Sequence, residues 1–143
     1  MLIRVSDDLH INLQNVSSIM LLQDKQILNM SYTIEDNKNG EMCGYYYIDA
    51  KDFSYQNTEY FKNNFILIKG SERTIYVNVN HISFVKKDLK NTPKLIIGID
   101  NSVKRKEISR TAEYLYIRIS ENILDKMYNS LIDKINNIII ANM

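Results

Sequence analysis

Residues 11–17 read Ile-Asn-Leu-Gln-Asn-Val-Ser, and residues 77–83 read Val-Asn-Val-Asn-His-Ile-Ser. Asn12 aligns with Asn78, Leu13 with Val79, Val16 with Ile82 and Ser17 with Ser83, at a constant offset of 66. Upstream, Ile3-Arg4 matches Ile68-Lys69 and Ser6 matches Ser71, with one residue inserted in the second copy. Downstream, each copy reaches an aspartate (Asp24, Asp88) that opens a polar turn, and a β-rich stretch resumes. The reading is one supersecondary unit used twice.

Within a unit the side-chain period is two, the mark of a half-buried strand. Leu9, Ile11 and Leu13 alternate with His10 and Asn12. After the Asn the spacing changes to three (Val16, Ile19), which fits a short helical turn between two strands. Asn and Ser side chains bond nearby backbone groups and favour such turns. Further strands are expected at 19–23, 26–34 and 44–48, then at 65–69, 73–79, 83–87, 94–100 and 112–119. A first helix is expected from Asp49, as N-cap, to about Lys62. A second starts after Ser120, with Leu124, Tyr128, Leu131, Ile135 and Ile138 spaced by fours and threes. The fold class is therefore α+β: two tandem β-meander-plus-helix repeats, 1–64 and 65–143, packed as one compact unit.

Composition narrows the function. The chain has 143 residues, 45% of them hydrophobic and 24% charged, so it can bury a core and is not disordered as a whole. The single cysteine, Cys43, excludes an internal disulfide framework and points to a reducing compartment. No signal-length apolar stretch follows Met1, and the apolar run Ile138 to Ala141 is far too short to span a bilayer. A cytoplasmic protein with no membrane partner is expected. The abundance of Asn, Ile, Lys and Tyr, with no Trp, fits the coding bias of a low-GC bacterium or phage.

Enzymatic signatures are missing. His10, His81 and Cys43 are not at metal-ligand spacing, the four glycines form no phosphate loop, and Asp7-Asp8 and Glu35-Asp36 read as solvated turn acids. A non-enzyme with no cofactor and no metal is expected. Charge, however, is uneven. Residues 1–66 hold five Lys/Arg and nine Asp/Glu, a balance of −4; residues 67–143 hold thirteen and eight, a balance of +5. The basic excess gathers around Lys86, Lys87, Lys90 and Lys94 and in the run Lys104, Arg105, Lys106 with Arg110 beyond.

The strand–Asn–turn string resembles the "VN…I" segment of LytTR-type DNA-binding domains over about seven residues per copy. The likeness is confined to that string, so that family's function is not carried over. Two strand-rich units each closing in a helix also resemble, in arrangement alone, Whirly-type single-strand binders.

Two functional readings follow. The first is a binding protein acting through protein contacts, including self-association into a homo-oligomer. It rests on the broad apolar stripe of the C-terminal helix, whose outer line would present Ile132 and Ile139 to a partner. The alternative is a nucleic-acid binder using the second repeat, with Lys86, Lys87, Lys104, Arg105, Lys106 and Arg110 on phosphates. Tyr114 and Tyr116, two apart on one strand, would then serve as stacking platforms.

Overall fold

The two Asn-led strings fold as the ends of two strands, each closed by a tight turn. A computed structural model describes residues 2–36, 41–99 and 113–143; of these, 32–36, 41–43 and 113–114 are described by backbone alone. The first half contains β1 (Leu2–Ser6), β2 (Leu9–Asn12), a 3-10 turn (Leu13–Asn15), β3 (Val16–Leu21), β4 (Lys25–Asp36), β5 (Glu41–Asp49) and α1 (Glu59–Asn64). The second contains β6 (Phe65–Lys69), β7 (Thr74–Asn78), a 3-10 turn (Val79–His81), β8 (Ile82–Asp88), β9 (Lys94–Ile99), β10 (Glu113–Arg118) and α2 (Glu121–Ala141). The fold is α+β, dominated by antiparallel strands. No described helix is long and apolar enough to cross a membrane.

Asn12 and Asn78 act alike at their strand ends. The Asn12 carboxamide oxygen accepts from the Gln14 N–H, and that of Asn78 accepts from the Asn80 N–H, both at 3.1 Å. Each bond satisfies a donor that the departing strand leaves unpaired. The following strands share another feature. Register shifts between Val16 and Ser18 in β3, and between Ile82 and Phe84 in β8, so Ser17 and Ser83 are the extra residues of two bulges.

Sheet membership differs between the halves. β1 and β2 form a separate hairpin, whereas β7 bridges β6 and β3 in a five-stranded sheet of order β5-β4-β3-β7-β6. β10, β9 and β8 make a third, three-stranded sheet. The β3–β7 pairing runs from Ser18 opposite Val77 to Leu21 opposite Thr74, and it joins the halves through the middle of one sheet. One face of that sheet packs Ile19 and Leu28 against the β1–β2 hairpin and α1. The other packs Ile68, Ile75 and Val77 against the three-stranded sheet and α2. Leu124, Leu131 and Ile135 of α2 are buried there, as the stripe predicts.

The expected helix from Asp49 to Lys62 is not formed. Asp49 is the last residue of β5, opposite Lys25. The buried Gln26 amide then donates to the Asp49 and Asp52 carbonyls at 3.1 and 2.9 Å and folds the chain back. The Tyr55 hydroxyl donates to the Gln26 side-chain oxygen from within a 3-10 turn (Ser54–Asn57). Helix starts only where the Thr58 hydroxyl accepts from the Phe61 N–H at 3.1 Å. Ser54, Asn57 and Thr58 favour turns and caps over helix interior, and here they serve in those places.

Two stability outcomes are expected. Asn78 is fully buried and also donates to the Val16 carbonyl of the other half at 3.0 Å. Asn78→Ala should cost about 2–3 kcal/mol, through the lost turn bond and a carbonyl left without its donor. Asn12→Ala, at a half-buried site, should cost about 1 kcal/mol. Urea denaturation of the two variants checks the ranking, and equal losses would show that the Asn78–Val16 bond adds nothing. The second outcome concerns alkali. Burial pushes the Tyr55 hydroxyl pKa above its usual value. A folded-state pKa above the unfolded one means that the stabilisation is complete below about pH 10 and is lost as pH rises past it. Tyr55→Phe should flatten the alkaline fall in the urea midpoint. An unchanged slope would assign that fall to other groups.

Candidate nucleic-acid interface

The three-stranded sheet positions the basic and aromatic residues of the second half. Lys86 and Tyr116 lie on either side of Ile96, and Lys94 lies between Asp88 and Arg118. Phe84 is opposite Gly98. Strand alternation sends Leu95, Ile97, Leu115 and Ile117 inward. It leaves Phe84, Lys86, Lys94, Ile96, Gly98, Tyr116 and Arg118 on the outer face. Tyr116 is 49% exposed and Phe84 40% exposed.

The bulge at Ser83 decides which way Phe84 points. Ile82 packs on the core, and an unbroken strand would turn Phe84 inward with it. One extra residue reverses the alternation, so Phe84 faces out and Val85 faces in. The Phe84 ring then lies across the Gly98 backbone. A Cβ on Gly98 would sit 2.3 Å from the ring's Cε1 and 2.5 Å from its Cδ1.

The β6–β7 turn adds the remaining charges. The Ser71 N–H donates to the Arg118 carbonyl at 2.8 Å, which ties the turn to the end of β10. Gly70 permits the approach: a Cβ there would lie 2.4 Å from Ile117 Cγ2 and 3.0 Å from the Arg118 carbonyl oxygen. The turn so held places Glu72 and Arg73 beside Arg118. Glu72, Arg73, Lys94, Tyr116 and Arg118 line a recess of about 380 Å³.

Electrostatics favour an anion on this face. It carries four cations, Arg73, Lys86, Lys94 and Arg118, against the carboxylates Glu72 and Asp88. Arg118 is 3.0 Å from Glu72 in an exposed pair, which solvent screens. Lys94 has Asp88 at 3.9 Å and lies over the Tyr116 ring at 5.5 Å. Arg73 and Lys86 form no ion pair among the described residues.

The candidates named from sequence divide as follows. Lys86 and Tyr116 share the outer face, on either side of Ile96. Lys87 does not join them: next to Lys86 in a strand, it takes the opposite side, donates to Asp125 of α2 at 2.9 Å and covers the Tyr128 ring at 4.9 Å. Lys104, Arg105, Lys106 and Arg110 lie outside the described residues. Tyr114 pairs in register with Gly98, and its backbone alone is described. On α2, Ile132 is half-buried and Ile139 is 47% exposed. Sequence reasoning missed Phe84, Arg73 and Arg118.

His81 occupies a turn, as its alignment with Asn15 implies, with Nε2 2.7 Å from the Gln14 carbonyl oxygen. In the first half Tyr45 and Tyr47 share an exposed face of the five-stranded sheet and Tyr46 takes the other. Tyr45 and Tyr47 rings meet edge-on at 5.5 Å, and the Lys25 ammonium covers Tyr47 at 4.4 Å.

No protein-family model matches this chain, and no curated protein matches it. Among solved structures, a LytTr DNA-binding domain from Bacillus cereus is similar over 94% of this chain and 94% of its own, with 16% identity and a TM-score of 0.47.

Proposed function

We propose that the chain is a non-enzymatic nucleic-acid-binding module that works through the outer face of its three-stranded sheet. The observation that carries this reading is the half-exposed Tyr116 ring, bracketed by Lys94, Arg118 and Arg73 in one recess. Cations at a ring's margin suit phosphates, and the ring's face suits a base. The proposal treats 1–64 and 65–143 as copies of one unit, of which the second carries the interface and the basic excess. Protein contact through α2 has less support. Ile132 is already half-covered by its own chain, and the exposed apolar side chains of α2, Ile123, Ile139 and Ile140, carry no charged, ring-lined recess beside them among the described residues.

Binding of labelled oligonucleotides, followed by anisotropy across a salt series, tests the proposal. Affinity should fall steeply with salt, because each phosphate contact releases condensed counterions. Arg73→Glu with Lys86→Glu should weaken binding at least about tenfold and lower the salt slope by about two contacts. Both side chains are exposed, so the fold should persist. Lys51→Glu, on an exposed loop of the acidic half, should change little. Failure of the unaltered protein to bind single- and double-stranded probes at low salt would remove the reading.

A further inference from the structure

We infer, resting on the nucleic-acid reading above, that the open sheet face takes single-stranded nucleic acid. Unpaired bases stack on Tyr116 and Phe84, and Gly98 acts as the positioning residue for the second ring.

The argument begins with shape. A duplex offers its sequence at base edges inside grooves several ångströms deep, which a helix, ribbon or loop must enter. The described outer face is a sheet surface whose reach is the length of its side chains. What it offers is ring area. Unstacked bases present π-faces, and aromatic side chains on a sheet take them without regard to sequence.

Spacing agrees. Tyr116 and Phe84 sit on strands at opposite edges of the sheet, with β9 between them, and are offset by one row. Strand separations of about 4.8 Å and a rise of about 3.3 Å per residue set their backbones roughly 12 Å apart. An extended strand can span this with a base at each ring. Lys86 follows Phe84 along β8, Lys94 and Arg118 lie one row beyond Tyr116 with Asp88 and Glu72 beside them, and Arg73 continues the cationic track past Tyr116. The charges therefore follow a line along which a backbone can run.

Gly98 gives the inference its sharpest test. It sits in the central strand of the sheet, and the Phe84 ring occupies the place of its missing side chain. The obstructing atoms belong to an exposed side chain, so Gly98→Ala would displace the ring while leaving the backbone in place. A ring that merely shields Gly98 has no bearing on a ligand. A stacking platform loses its geometry when it moves.

The experiment compares an oligothymidylate of about twelve nucleotides, its oligouridylate counterpart, and the oligothymidylate paired with its complement, at one salt concentration. Tighter binding of the single strands than of the duplex, by about tenfold or more, is expected. The deoxy and ribo arms identify the preferred sugar, and binding of either supports the inference. Tyr116→Ala should weaken single-strand binding by about five- to a hundredfold, and Tyr116→Phe, which keeps the ring, by less than about threefold. Gly98→Ala should weaken it while the urea midpoint stays near that of the parent. If Gly98→Ala unfolds the protein, Phe84→Leu replaces it and should give the same loss. Tyr47→Ala, an equally exposed ring in the acidic half, should leave binding unchanged. Duplex binding that equals or exceeds single-strand binding, with Tyr116→Ala neutral, overturns the inference and leaves the nucleic-acid reading standing. Binding to none of the probes overturns both.

Discussion

The antiparallel pairing of β3 with β7 is the constraint on which the rest of the structure depends. These strands lie at the centre of the five-stranded sheet and come from different halves of the chain. A central strand buried on both faces cannot tolerate an unpaired polar group, and β3 shows how this is met. Val16, Ser17, Ser18 and Ile19 are all buried. The Ser17 hydroxyl donates to the Asn29 carbonyl at 3.1 Å, and the Ser18 hydroxyl accepts from the Asn29 amide at 3.0 Å. The Asn78 amide reaches across to the Val16 carbonyl. Each bond removes a desolvation cost of about 1–3 kcal/mol, so the junction is specified by polar satisfaction as well as by packing.

That junction also explains why only one side of the three-stranded sheet is open. With β6 and β7 fixed in the central sheet, their apolar side chains present a surface that β8, β9 and β10 must cover. α2 closes the remaining side of the same core. The three-stranded sheet spends its apolar face on this contact, and its other face is left to solvent. Polar and charged residues follow there by alternation. Tyr116, Phe84 and Ile96 depart from that rule as apolar side chains on the outer face.

How much of this was legible in the sequence depended on whether local chemistry or tertiary contact decided the outcome. The Asn12 and Asn78 turns, the strand pattern and α2 could be read because each follows from side chains acting on their own neighbourhood. The span from Asp49 to Thr58 could not. Its path is set by Gln26, more than twenty residues away, which holds the carbonyls of Asp49 and Asp52. Phe84 was hidden by the Ser83 bulge, since strict alternation from Ile82 turns it inward. Arg73 was hidden because its partners come from β9 and β10, brought near by the Gly70 turn. The fate of Lys87 was legible in principle: two consecutive lysines in a strand cannot share a face.

The two halves offer a comparison that bears on function. Each exposes tyrosine on a sheet face with a lysine nearby, Tyr45 and Tyr47 with Lys25 in one, Tyr116 with Lys94 in the other. In the first the rings meet edge-on and the ammonium sits over Tyr47, so the aromatic surface is partly spent within the chain. The surrounding half carries an excess of acid that would repel a phosphate chain. In the second Lys94 likewise lies over the Tyr116 ring, at 5.5 Å, the exposed rings are separated by a strand, and Arg73 and Lys86 form no ion pair among the described residues. The halves share the order of their strands and closing helix, and they differ in charge balance and in the spacing of their exposed rings.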